Sequence, residues 1–428
     1  MTTAKTTAPP AGTTRPRVPL WMWPIALLLV GLAVEPLVAH WLTNPDDQRL
    51  VDLDVYRTGG QAVLEGRAVY DFVTPAPQLL PFTYPPISAL LATPLAAMSW
   101  PVAQWVWTVG VFAALAVAVA YAFRPMLERA GRARAVLLPL LFALLTVMCT
   151  YLMPIRDQVR FGQVDILLVA LCLADCVARR PLWPRGFLIG LATAVKLTPG
   201  VFLIYLLIAG FSGTGDPERT SRTRQALYTA VITATLLTVL PFAVIPHDSW
   251  DFWFSALLDP GRVGANNATT NQSMRGMLLR LYLPDTLTSL IWLALLAVIG
   301  WYGFRYARRA FLDGDTLTAV ALVGLMAVLL SPVAWIHHLA WVVVVLGAIV
   351  GNGTDPVRVR VAVGVWLYYV VPIPWWGVSL RAAEIPVISP VLGKIVQNAY
   401  GLGAMVLVFL LGVWLRTRGK SPHEIVTN

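Results

Sequence analysis

Charge is what this chain has least of. Only 13% of its 428 residues are Asp, Glu, Lys or Arg. A soluble globular domain carries about 25%, so a soluble fold is excluded. Cysteine is also scarce: Cys149, Cys172 and Cys176 all lie in apolar stretches. An odd number of cysteines within apolar segments rules out a disulfide framework. Cys172 and Cys176 stand four apart, but no cluster of His or Cys completes a metal site around them. The net charge of +10 comes without a continuous basic face, which argues against nucleic-acid binding. The first apolar run, Leu20 to Leu42, lacks a small-residue cleavage site and is too long for a signal-peptide core, so it reads as a retained helix. No internal repeat stands out, so an inverted-repeat transporter is not indicated.

Apolar side chains are what the chain has in abundance: 57% of residues are hydrophobic and the mean hydropathy is +0.69. A membrane span needs about 20 mostly apolar residues. The candidate spans are 20–42, 102–123, 135–153, 163–178, 225–246, 287–304, 316–331, 334–350, 359–374 and 395–415. Arginine-rich tracts such as Arg124–Arg134 and Arg305–Arg309 mark the cytoplasmic side, since positive charge stays inside. With the N-terminus inside, 43–84, 247–286 and 375–394 lie outside. Segment 85–99 begins Pro85-Pro86, is interrupted at Pro94, and reads as an interfacial element. Keeping the arginines of 179–185 and 212–224 on one side makes 186–211 a re-entrant pair, broken at Lys196-Leu197-Thr198-Pro199-Gly200, because proline interrupts the helical ladder. A single kinked span is the alternative. The expected organisation is therefore a disordered cytoplasmic N-terminus over 1–19, a single all-α transmembrane domain over 20–416 and a cytoplasmic tail over 417–428. Within the domain, 43–101 forms a first outer loop with an interfacial helix, and 247–286 a second outer loop. The helix count is about 10–12 with the re-entrant elements.

The unusual polar residues return to one face. Val51-Asp52-Leu53-Asp54-Val55-Tyr56 puts two carboxylates just past the first span. Spacing of two sets them on one side of an extended chain, or about 200° apart on a helix, where only one faces a cavity. One positioned carboxylate suffices as a general base for an attacking hydroxyl. The aromatic tract Phe82-Thr83-Tyr84-Pro85-Pro86 suits a sugar or prenyl surface, or plain interfacial anchoring. In Arg156 to Asp165, arginines at an outer helix junction suit phosphate oxygens; a salt bridge to Asp157 or Asp165 is the bland alternative. Asp165 opens an apolar helix and serves there as its N-terminal charge. Lys196 is an ionisable residue at membrane depth, which by default marks a functional site, with snorkelling as the alternative. Loop 247–286 contributes Asn271 and Gln272, amides that suit sugar hydroxyls. Ser331-Pro332 leads to His337-His338. Adjacent histidines point about 100° apart on a helix, so one faces the cavity, and phosphate or hydroxyl recognition ranks above a metal site.

Asp52-Leu53-Asp54-Val55-Tyr56, Phe82-Thr83-Tyr84-Pro85-Pro86, Gly162-Gln163-Val164-Asp165, Lys196-Leu197-Thr198-Pro199, Asn271-Gln272-Ser273 and Ser331-Pro332 through His337-His338 occur in that order. In this the chain resembles the actinobacterial polyprenyl-phosphate-mannose-dependent α-(1→2)-mannosyltransferases, which have the GT-C membrane fold (family 87-like). The resemblance implies a multi-pass enzyme of the plasma membrane with its site facing outward. It implies a polyprenyl-phosphate-mannose donor and, as acceptor, the mannosyl 2-hydroxyl of a phosphatidylinositol mannoside, lipomannan or lipoarabinomannan. It further implies one inverting displacement, with no cofactor and no metal. The family's essential aspartate maps to Asp52, and Asp54 takes second rank. Donor-phosphate contacts fall to Arg160, Lys196, His337 and His338, and sugar contacts to Tyr84, Gln163, Asn271 and Gln272. The competing readings are a lipid or solute transporter, a non-catalytic partner of envelope assembly, and a sister transferase using another prenyl-phosphate sugar.

Overall fold

A computed structural model describes residues 18–45, 49–213 and 216–418; the expected disordered N-terminus and most of the C-terminal tail lie outside these. Among the described residues the chain is helical throughout, with two isolated antiparallel bridges, Val73 to Pro81 and Asn271 to Trp335. Local chemistry sets many helix starts. Asp216, Asp315 and Asp355 cap Pro217–Val244, Thr316–Leu329 and Pro356–Val370 by accepting first-turn backbone N–H groups, which have no partner within the helix. Proline sits in the first turn of several helices, where its missing N–H costs nothing.

Among the described residues, five helices are long and apolar enough to cross a membrane: Met22–Leu42, Trp100–Ala122, Pro217–Val244, Asp285–Leu312 and Ala399–Arg418. Two bent pairs, Ala135–Thr150 with Met153–Phe161 at 78° and Pro356–Val370 with Ile373–Ala382 at 49°, raise the number to seven. The chain is a multi-pass membrane protein. The long helices expose leucines such as Leu27, Leu28, Leu236 and Leu290, a surface suited to hydrocarbon and not to water. By length alone, fewer helices qualify than the ten spans read from hydropathy. The expected spans 163–178 and 316–331 fold as helices of 13 and 14 residues, and 334–350 as a 3-10 helix of 6 residues, Ile336–Trp341, running into the 9-residue helix Val342–Val350. Thr316–Leu329 and Val342–Val350 are buried almost throughout. Surrounded by other helices, they are not measured against bilayer thickness as a lipid-facing helix is.

Segment 186–211 doubles back. Phe187–Val195 and Val201–Gly210 flank the break, and both pack against Pro217–Val244. The entering end, Gly186, lies against Ala226, and the leaving end, Gly210, against Arg224. The two ends thus meet one level of the same helix, and the turn between them carries Lys196 into the bundle. Segment 85–99 is the short helix Pro86–Ala96, laid against Val51–Leu64.

Candidate active site

Val51–Leu64 is helical, so Asp52 and Asp54 diverge. Its start is held from behind by the Gly162 turn. Gly162 ends the helix Met153–Phe161 with φ 70°, a left-handed conformation natural to glycine. Leu50, opening the Asp52 helix, also has a positive φ, 49°, and its N–H donates to Arg160 O at 3.3 Å. The Gly162 carbonyl accepts from Trp107 Nε1 at 2.7 Å, and the Trp107 ring packs on Tyr56 with centroids 5.6 Å apart.

This packing delivers Gln163 to Asp52. Tyr56 Oη donates to Gln163 Oε1 at 3.1 Å, Tyr84 Oη donates to the same oxygen at 3.3 Å, and the two hydroxyls lie 2.9 Å apart. With that oxygen taken by the tyrosines, the Gln163 side chain hydrogen-bonds Asp52. Asp52 is partly accessible yet deep enough that burial pushes its carboxyl up to about 7; Gln163 and the charge of Lys196 pull the other way, and Asp165 adds to the rise. A carboxyl in that range is matched to proton transfer near neutrality. Burial also raises Asp54, whose neighbouring charge is Arg57.

Tyr84 joins this group to a second one. Lys196 Nζ lies 5.3 Å from the centre of the Tyr84 ring. The same ammonium is 2.8 Å from Asp165 Oδ1 and 3.1 Å from His338 Nε2. His337 Nε2 and His338 Nε2 lie 3.9 and 3.8 Å from Asp165 Oδ2. Gln158, fully buried, donates to His337 O at 2.8 Å and accepts from Ile166 N–H at 3.3 Å. Three chain breaks therefore converge: the start of the helix Asp165–Val177, the tip of the 187–210 hairpin, and the 3-10 turn Ile336–Trp341. Asp165, His337 and His338 offer ligand atoms within 4.8 Å of one another, a set suited to a cation, and the Lys196 ammonium already lies on two of them.

The sequence-level candidates divide accordingly. Asp52, Tyr84, Gln163, Lys196, His337 and His338 come together. Arg160 stays at the exposed rim with its guanidinium 5.0 Å from the Phe161 ring centre. Asn271 and Gln272 are fully buried and held by protein groups. Asn271 donates to Asn266 O and accepts from Ser273 N–H and Ala334 N–H. Gln272 donates to Thr269 O and Gln397 O and accepts from Gly401 N–H. Arg280, also buried, binds Asn398 Oδ1, Ala268 O and Asn271 O. These side chains brace loop 247–286, and the expected sugar contacts from Asn271 and Gln272 give way to that bracing. Asp165 pairs with Lys196 and not with Arg156 or Arg160. Its placement in Gly162-Gln163-Val164-Asp165, opening an apolar helix, was the only local signal. Tyr56 showed none beyond adjacency to Asp52 and Asp54.

Residues 82–332 match glycosyltransferase family 87. The chain is 35% identical over 321 residues, 69% of its length and 68% of the relative's, to the polyprenol-phosphate-mannose-dependent alpha-(1-2)-phosphatidylinositol mannoside mannosyltransferase of Mycolicibacterium smegmatis. Identity to the protein of that name from Mycobacterium tuberculosis is 33% over 350 residues, 78% of this chain and 77% of the relative. A polyprenol-phosphate-mannose-dependent alpha-(1-2)-phosphatidylinositol pentamannoside mannosyltransferase from M. tuberculosis is 30% identical over 385 residues, 87% of this chain and 81% of the relative. No solved structure matches. With the family match covering more than half of the chain, and relatives aligned along two thirds of it or more, this membrane protein belongs to glycosyltransferase family 87.

Proposed function

We propose that this protein transfers mannose from a polyprenyl-phosphate-mannose donor to a mannosyl 2-hydroxyl of a phosphatidylinositol mannoside or of a lipomannan or lipoarabinomannan chain, making an α-(1→2) bond. The reading rests on one observation above all: a partly buried carboxyl, Asp52, stands beside a Gln163–Tyr84 pair that reaches a lysine–histidine cluster. The relatives' names supply the donor and acceptor classes. Asp52 takes the proton from the acceptor hydroxyl as its oxygen bonds the anomeric carbon. The bond from that carbon to the phosphate oxygen breaks, and the polyprenyl phosphate leaves with the electron pair. One displacement inverts the β-linked donor into an α-mannoside. Lys196, His337 and His338 face the phosphate charge that grows in this step, and fixed cations and donors serve there without reorganising. Arg160 guides the headgroup at the rim, Tyr84 and Gln163 border the sugar, and Asp54 stands second to Asp52 as the catalytic carboxylate. The working unit is the single domain over 20–416, in the plasma membrane, with the site facing outward.

The test is transfer in vitro. Purified protein and its Asp52→Asn variant, in nanodiscs, receive labelled polyprenyl-phosphate-mannose and a set of mannosylated phosphatidylinositols. An α-(1→2)-mannosidase-sensitive product from the wild type alone supports the reading. Full activity in the variant removes Asp52 as the base. Transfer only from a different prenyl-phosphate sugar reassigns the donor.

A further inference from the structure

Lysine ammonium has three donors and no acceptor. Asp165 sits 2.8 Å from Lys196 Nζ and keeps the amine charged. His338 Nε2, 3.1 Å from the same nitrogen, must therefore accept and carry no hydrogen. In a neutral imidazole the remaining proton then belongs to Nδ1. His338 Nδ1 is buried and has no hydrogen-bond partner among the described residues, a donor waiting for an acceptor the protein does not supply. His337 is arranged differently. Its buried unpartnered nitrogen is Nε2, which faces Asp165 Oδ2, also without a hydrogen bond, at 3.9 Å.

We propose that His338 donates from Nδ1 to a non-bridging oxygen of the donor phosphate, and that Asp165, acting through Lys196, is the positioning residue that fixes this tautomer. The inference rests on reading the Lys196–His338 cluster as the phosphate site and adds which histidine, which nitrogen and why. Carboxylate, ammonium and imidazole form a directed chain in which each link sets the hydrogen of the next. Because Asp165 offsets the Lys196 charge, the phosphate is held by a neutral N–H beside an ion pair. That donor bonds more strongly as the leaving phosphate gains its second negative charge, and it keeps its proton throughout.

Amide variants separate the two ring nitrogens. An asparagine amide reaches about as far as Nδ1, and a glutamine amide about as far as Nε2. With the full-length protein in nanodiscs and synthetic polyprenyl-phosphate-mannose, His338→Asn is expected to keep the donor KM within about threefold of wild type. His338→Gln and His338→Ala are expected to raise it about tenfold or more, the worth of a hydrogen bond to a charged group. Asp165→Asn is expected to raise the donor KM when residue 338 is histidine and to add nothing on top of His338→Asn, because a carboxamide has no tautomer to set. Equal donor KM values for the Asn and Gln variants, or multiplying effects of Asp165→Asn and His338→Asn, overturn the inference. A wild-type donor KM in His338→Ala removes the phosphate contact and overturns the inference as well. Nitrogen-15 spectra of histidine-labelled protein are expected to show His338 protonated on Nδ1, and a proton on Nε2 refutes the chain. Neither His338→Asn against His338→Gln nor the spectra depend on Asp165→Asn folding.

Discussion

Gly162 stands against Leu53 so closely that a β-carbon on Gly162 would lie 2.8 Å from Leu53 Cβ and 3.3 Å from the Leu53 backbone nitrogen. Two segments more than one hundred residues apart thus meet without room for a methyl group, and the meeting sets where Asp52 points. Gly162→Ala meets both a left-handed backbone and this contact. The expected result is a loss of about 1–3 kcal/mol in stability and a fall in transfer rate of about tenfold or more, because angstrom-scale displacement of a catalytic group is costly. Thermal unfolding in detergent, read beside the transfer assay, checks both.

Asp52 ties rate to pH. With its carboxyl near 7, a general base works only when ionised, so kcat/KM for the acceptor should rise through about pH 7 and level above it. Stability should run the opposite way. The folded protein favours the protonated acid, so no penalty is present below the ordinary value near 3.8, and the full penalty is present above about 7. Asp52→Asn should then match wild type in melting temperature near pH 4 and exceed it at pH 8, while losing about 10²-fold or more in rate. Equal melting temperatures at pH 8 would contradict the buried, raised carboxyl.

Gln163 acts on the same group from the other direction. Its hydrogen bond lowers the Asp52 carboxyl, so Gln163→Leu should move the acid limb of the rate profile to higher pH. It also leaves the hydroxyls of Tyr56 and Tyr84 without their shared acceptor, which should cost about 1–3 kcal/mol in stability. A profile that keeps its midpoint while stability falls would reduce Gln163 to packing.

Asn271 and Gln272 should behave as braces. Their alanine variants each strand buried backbone groups, with an expected loss of about 1–3 kcal/mol, and any surviving activity should show wild-type KM for donor and acceptor. A selective rise in acceptor KM with unchanged melting would return them to the sugar site.

The chain's own pattern determined that it is a helical membrane protein and where the hairpin breaks. These are local properties: hydropathy over about 20 residues, arginine between spans, and proline within a helix. It also marked Asp52, Lys196 and His337-His338, because charged and polar groups in apolar surroundings stand out against the composition. It left open whether Asp52 and Asp54 share a side, which the helix Val51–Leu64 decides, and what Lys196 meets. The second answer needed the tertiary structure, since the partners of Lys196 lie 31 positions before it and 142 after it. The amides of loop 247–286 illustrate the same limit: Asn271 and Gln272 look solvent-facing in sequence, and only the packing of Gln397, Gly401 and Arg280 around them buries them as struts. Residue type announces what a side chain can bond, and three-dimensional packing decides which partner arrives.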